Sequence, residues 1–184
     1  MEQALVFASI VLGVAVASEL NNLHKLLQSN NVKWHWAQLA YALLTLLTMM
    51  SVWWMLANVD LTQKISLAGF LPAMWVLVLL NLMAAVALPD WIPEDGVDLA
   101  EYYQEKRRYL WGLYLLAIAP LGGSTYINAF KQADGAFRFV ELVAVDTFAI
   151  SIIVMLFFAR AWWLVGLGFA IFFSITTLWL VRTI

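Results

Sequence analysis

Long apolar runs separated by short polar or charged stretches set the pattern of this chain, and each run is close to the length of one bilayer crossing. A spanning α-helix needs about 20 predominantly apolar residues. Six stretches reach or approach that length: Ala4–Leu23, His35–Ala57, Ile65–Leu88, Tyr109–Phe130, Phe139–Ala159 and Ala161–Val181. The pattern predicts an all-α, polytopic helical membrane protein with six transmembrane helices, in a single transmembrane domain over residues 1–184. Only Arg160 separates the last two runs, with neither Gly nor Pro to mark a turn. One helix through Phe139–Val181 would be roughly 60 Å long, about twice the hydrocarbon thickness, so a tight hairpin near Ala159–Ala161 is expected. Tryptophans act as a ruler, because amphipathic aromatics prefer the two interfaces. Trp34 and Trp36 open the second run and Trp53 and Trp54 close it; Trp162 and Trp163 open the sixth and Trp179 closes it.

Two segments extend past the bilayer as interfacial helices. After Glu19, Leu20, Leu23, Leu26 and Leu27 keep an apolar face at helical spacing while Asn21, Asn22, His24 and Lys25 face elsewhere. The first helix is therefore expected to end lying along the interface. In the third loop, Asp98 and Glu101 have N-cap and N3 spacing and open a helix that runs through Arg108 directly into span four. Its acids lie at the positive dipole end and its cations nearer the membrane, which suits the macrodipole and lipid phosphates. The competing reading is a divalent-ion site of Asp90, Glu94, Asp95 and Asp98, whose spacing lacks the alternating ligands of an EF-hand loop.

Composition sharpens the class. The chain is 64% hydrophobic and only 12% charged, where a soluble domain is about half apolar and about a quarter charged, so the lipid bilayer is its expected solvent. Ten Lys and Arg against twelve Asp and Glu leave no basic footprint for nucleic acid. The absence of Cys excludes disulfides, thiolate nucleophiles and Cys-ligated metal or iron–sulfur sites. No cofactor is expected. The N-terminus turns apolar after Met1-Glu2-Gln3 without a basic leader or a cleavage site, and reads as a retained first span. Lys25, Lys33, Lys106, Arg107, Arg108 and Arg160 fall on one side of this topology, and Lys64, Lys131, Arg138 and Arg182 on the other. The bias of cations toward cytoplasmic loops then puts both termini outside the cytoplasm.

Ionisable groups within spans are costly and often functional, which singles out Glu19, Glu141 and Asp146. Arg138, three residues before Glu141, can pair with it on one helical face. Asp146 lies about 10 Å into span five from Phe139. Glu19 lies toward the cytoplasmic side of this topology and the other two in the opposite half, so together they make candidate steps of a proton or cation path. The competing reading has a protonated Asp146 bonded to a carbonyl or hydroxyl of a neighbouring helix and Glu19 at the interface. In span four, Pro120 removes a helix hydrogen bond, Gly122 and Gly123 make the next turn permissive, and Ser124 and Thr125 offer hydroxyls. Broken membrane helices of this kind hold solute or ion in transporters; a packing kink is the alternative. Asn81 and Asn128 are expected to make interhelical hydrogen bonds, with Asn81 also a candidate on the path. His24 and His35 flank the first loop as weak candidates for a metal or haem, against two interfacial histidines. Small residues at four-residue spacing, Ser9, Gly13 and Ala17 in span one and Gly166, Ala170 and Ser174 in span six, permit close helix contact within the chain or at a homo-oligomer or partner-subunit seam. No phosphate loop, HExxH or GxSxG motif is present, and nothing in the spacing positions a Ser/His/Asp arrangement.

Leu23-His24-Lys25-Leu26-Leu27, Trp34-His35-Trp36, Leu88-Pro89-Asp90, Tyr102-Tyr103 and Arg107-Arg108-Tyr109-Leu110-Trp111-Gly112-Leu113 resemble small uncharacterised polytopic proteins of bacterial inner membranes. The resemblance spans runs one to four. It implies a multi-pass protein of the bacterial plasma membrane and brings no activity or catalytic residue. The leading functional expectation is passage of a proton, cation or small solute, with Asp146 titrating or coordinating, Glu19 a gate, and Pro120 with Gly122–Thr125 the helix break. The rival expectation is a non-catalytic accessory or scaffold subunit of a membrane complex. A membrane redox or lipid-modifying enzyme using His24 and His35 is the third.

Overall fold

Hydrocarbon offers no water to bond exposed amides, so an apolar run of bilayer length closes its hydrogen bonds internally as a helix. The computed structural model describes residues 2–58 and 67–182, with the side chains of 5–58, 70–120 and 122–174. These form six helices: α1 Glu2–Gln28, α2 Trp36–Ala57, α3 Leu67–Ala87, α4 Leu99–Gln132, α5 Ala136–Phe158 and α6 Trp162–Arg182. Five are long and apolar enough to cross a membrane, and α6 carries a shorter apolar stretch, Trp162–Ser174. Ile65, the expected start of span three, and Lys64 lie outside the described residues. The α5–α6 hairpin is where the sequence put it: the Ala159 backbone turns extended, its N–H still reaching Met155 O, and α6 begins at Trp162.

The chain divides into two compact units, Met1–Leu110 and Trp111–Ile184, with the boundary inside the continuous helix α4. In the first unit, α1 packs on α2 and α3 along a buried stripe of Ala8, Leu12, Ala15, Glu19, Asn22 and Leu26. Steps alternating between four and three residues keep this stripe on one face of a helix. The stripe corrects the expectation that Asn22 faces away from Leu26. Asn22 points inward and is 4% exposed, whereas Leu20 and Leu27 are 48% and 65% exposed. The seam established by the apolar residues before Glu19 simply continues, and it takes Glu19 and Asn22 inside with it. Lipid is as apolar as leucine, so burying a leucine rather than an asparagine between helices gains little there.

The carbonyl end of α3 ties this unit together. Pro89 halts the helix, and the last turn of any helix leaves carbonyls without intrahelical partners. Here Tyr102 Oη donates to Val86 O (3.1 Å), Gln38 Nε2 to Ala87 O, and Asn22 Nδ2 to Leu88 O (3.4 Å). Three consecutive carbonyls are thus bonded from three different helices: α4, α2 and α1. Tyr41 Oη adds a bond to Leu110 O (3.0 Å). Outside the helices, strands β1 (Val32–Lys33) and β2 (Val97–Asp98) pair in parallel and join the first loop to the third. Gly96 makes this approach possible. Its φ is +93°, and a Cβ there would lie 2.3 Å from Asn31 O.

Asp98 caps α4 as its spacing predicted, Oδ1 accepting from Ala100 N (2.9 Å) and Glu101 N (3.3 Å). In the second unit, Trp111 is fully buried against Tyr114, Phe169 and Phe172. Leu156 of α5 lies where a Cβ on Gly168 of α6 would sit, 2.6 Å from its Cδ2.

Two outcomes follow for the loop scaffold. Gly96→Ala meets both a left-handed backbone and a carbonyl oxygen; the backbone part alone costs about 1–2 kcal/mol. Thermal unfolding in detergent should show a clear loss for Gly96→Ala and none for Gly13→Ala, where no atom lies within 4 Å. The Asp98 carboxyl is held below its ordinary value of 3.8 by the backbone N–H of Glu101 and then that of Ala100, against an opposing desolvation, with smaller help from Lys33 and His35. A lowered folded value means its contribution is complete above the ordinary value and is lost as pH falls through the lowered one. Acid unfolding profiles should therefore flatten in Asp98→Asn, which keeps a capping oxygen but does not titrate.

Candidate functional site

Antiparallel packing of α4 and α5 builds the principal site. The register is set by Gly112 facing Phe157, Gly122 facing Ile150, and Tyr126 Oη sharing a 2.6 Å hydrogen bond with Thr147 Oγ1. Beside this seam lies a cleft of about 220 Å³ lined by Tyr114, Ile118, Gly122, Thr125, Asp146, Ala149, Ile150, Ile153 and Phe172. Gly122 leaves room for it, because a side chain there would reach toward Ile150. The rings of Tyr114 and Phe172 meet edge to face at 5.5 Å and close one wall. Asp146 brings the only carboxylate of this lining, and it makes no hydrogen bond or ion pair to a described residue. A half-buried carboxylate on an apolar cleft, with the Thr125 hydroxyl nearby in the same lining, is suited to hold a cation or exchange a proton.

The sequence candidates separate cleanly. Asp146, Gly122 and Thr125 share the cleft, while Gly123 and Ser124 face outward on the same turn. The expected helix break is not there: α4 is continuous through Pro120 and both glycines. A membrane helix accommodates proline when neighbouring groups satisfy the freed carbonyl, so this segment acts through the space Gly122 leaves and not through unwound backbone. Glu141 is paired with Arg138 at 2.6 Å, as their spacing suggested, and both are exposed. Asn81 and Asn128 are exposed, and neither makes the expected interhelical hydrogen bond to a described residue.

His35 is the N-cap of α2, Nδ1 accepting from Ala37 N (3.3 Å), and His24 is exposed. Among the described residues, no three His, Asp or Glu side chains gather as metal ligands. The small-residue stripes are not the tight seams. Gly13 and Ala17 are exposed, Ser9 accepts from Trp53 Nε1 (3.2 Å), and Gly166 is half-buried beside exposed Ala170 and Ser174. Gly168, two residues along from Gly166, makes the close α5–α6 contact instead.

Glu19 belongs to the first unit and is not among the residues that line the cleft. It is 1% exposed, and neither carboxyl oxygen has a hydrogen-bond partner. Its neighbour in this respect is Gln38, fully buried, whose Oε1 is likewise unbonded while Nε2 serves the α3 carbonyl. The sequence reading missed Gln38, although it is the one amide in the apolar run of α2. Six span hydroxyls bond within their own helix: Thr45, Thr48, Ser51, Thr147, Ser151 and Ser174 each donate to the carbonyl four residues back. Such local bonds remove hydroxyls as candidates for solute binding.

Two helical glycines of the second unit should respond with opposite sign. Gly122→Ala places a methyl in ordinary contact 3.6 Å from Ile150 and gains about 0.5–1 kcal/mol of helix propensity. Gly168→Ala overpacks against Leu156 and should lose about 1–3 kcal/mol. Unfolding midpoints in detergent check the order: Gly122→Ala above the parent, Gly168→Ala below it. No protein-family model, curated protein or solved structure matches this chain.

Proposed function

We propose that this integral membrane protein passes a proton, a cation or a small solute through its helical bundle, with Asp146 as the titrating or coordinating group. The observation that carries the reading is the meeting of Asp146, Gly122 and Thr125, on two different helices, around one cleft of about 220 Å³. An unpaired carboxylate in an apolar span is expensive unless water, a proton or a cation reaches it, and the cleft supplies the access. The aromatic wall of Tyr114 and Phe172 favours positive charge, since ring faces attract cations. The reading includes a bacterial plasma membrane as the location, with both termini outside the cytoplasm. The rival is an accessory or scaffold subunit that docks a partner, or a second copy, on the open α1 surface over Gly13 and Ala17.

Proteoliposomes holding a pH-sensitive dye, under an imposed potassium diffusion potential, test the proton form of the reading. Flux above that of empty vesicles, lost in Asp146→Asn, is the expected result. Background flux from both proteins would remove the proton form and favour the accessory role; equal flux above background would remove Asp146 from the path.

A further inference from the structure

The three-helix unit holds a second polar centre whose chemistry does not depend on the Asp146 cleft or on transport. The buried side-chain atoms without a partner, among the described residues, are Glu19 Oε1, Glu19 Oε2 and Gln38 Oε1. With Glu19 ionised, all three are acceptors, and no donor is left for them. The same small region already uses its amide donors elsewhere: Gln38 Nε2 bonds Ala87 O and Asn22 Nδ2 bonds Leu88 O. Because those two carbonyls are consecutive, Gln38 and Asn22 meet at one level of the bundle. Glu19 lies one turn before Asn22 on the same buried stripe of α1.

The surroundings offer Glu19 little compensation. Helices α2 and α3, which pack on α1, contain no Asp, Glu, Lys, Arg or His. Their one titratable group is Tyr41, whose hydroxyl donates to Leu110 O. On α4, Tyr102 donates to Val86 O, and the buried Arg107 gives Nη1 to Gln104 Oε1 (2.7 Å). On α1 itself His24 and Lys25 are exposed, Lys25 Nζ reaching Asp90 O (3.2 Å). A carboxylate one turn from Asn22, which bonds Leu88 O, would also lie near the negative end of the α3 dipole. Placing an ion there without a counter-charge is the costliest choice open to this side chain.

We propose that Glu19 and Gln38 form a buried proton-binding site, in which the Glu19 carboxylic acid donates its O–H to Gln38 Oε1. The step adds one proton to one carboxylate oxygen and breaks no bond. It turns an acceptor into the missing donor, satisfies Gln38 Oε1, and leaves the amide bridging Glu19 to the end of α3. A proton, unlike a metal cation, needs no cavity to do this.

Infrared spectroscopy of the full chain in lipid, with glutamate carbon-13 labelled, reads the site directly. Glu94, Glu101, Glu105 and Glu141 are exposed and the Glu2 side chain lies outside the described ones, so a protonated-acid carbonyl band at neutral pH that shifts with the label and is lost in Glu19→Gln reports a buried Glu19 acid. The expected result is such a band in the parent, its loss in Glu19→Gln, and a shift to higher frequency in Gln38→Leu, where the hydrogen bond is gone. Glu19→Gln is nearly isosteric with the neutral acid and should unfold close to the parent. The parent spectrum alone keeps the test open if either variant misfolds. A labelled parent without the band, or a band unchanged in Glu19→Gln, overturns the proposal. A band abolished by sodium chloride but not by choline chloride at fixed pH overturns it in favour of a metal-cation site.

Discussion

The first unit depends on how the carbonyl end of α3 is satisfied. A helix that stops at Leu88-Pro89 leaves orphan acceptors, and in this chain they lie among buried side chains where water does not serve them. Side chains from α1, α2 and α4 converge on Val86, Ala87 and Leu88 instead. That one requirement explains why an asparagine and a glutamine sit on helix faces where leucine would be the apolar choice. It also explains why α1 keeps a single inward stripe to Leu26. Hydrogen bonds of this kind have a larger part in specifying helix contacts in lipid than apolar area does, because apolar area gains little on leaving an apolar solvent.

The second unit follows a different logic. Its contacts are steric: Trp111 filling the space among Tyr114, Phe169 and Phe172, and Gly168 accepting Leu156. The hydroxyls of Thr147, Ser151 and Ser174 turn back on their own helices. Asp146 is a span carboxylate that neither logic absorbs, and it stands where Gly122 opens space. The two acids deepest in the apolar spans thus have contrasting settings. Glu19 is sealed and lacks donors, whereas Asp146 borders an open cleft.

Hydrophobic run length made the helix count, the α5–α6 hairpin and the Asp98 cap legible in the sequence, because each rests on local rules of length, turn position and N-cap spacing. The Arg138–Glu141 pair was legible for the same reason. What stayed hidden depends on which way a helix turns. Leucine spacing after Glu19 put Asn22 off the face of Leu26, whereas the structure buries both; in a membrane chain apolar periodicity marks lipid contact as readily as core. Gly166 and Gly168 are equivalent by composition, and only the position of Leu156 selects Gly168. The break expected at Pro120 failed because proline within a spanning helix is tolerated when the surrounding chain holds it. Gln38 carried a readable signal as a lone amide in an apolar run, but its partner is a backbone carbonyl 49 residues away.

The account stands on Asn22 facing the end of α3, and the chain has no cysteine of its own to confuse a cross-linking test. Asn22→Cys and Leu20→Cys, each combined with Leu88→Cys, would be treated in native membranes with a short thiol-specific cross-linker. Positions 20 and 22 lie about 200° apart around a helix. Efficient intramolecular linkage from position 22 with little from position 20 is the predicted result. Equal linkage, or preference for position 20, would mean that α1 presents its other face and that the carbonyl end of α3 is not what holds these helices together.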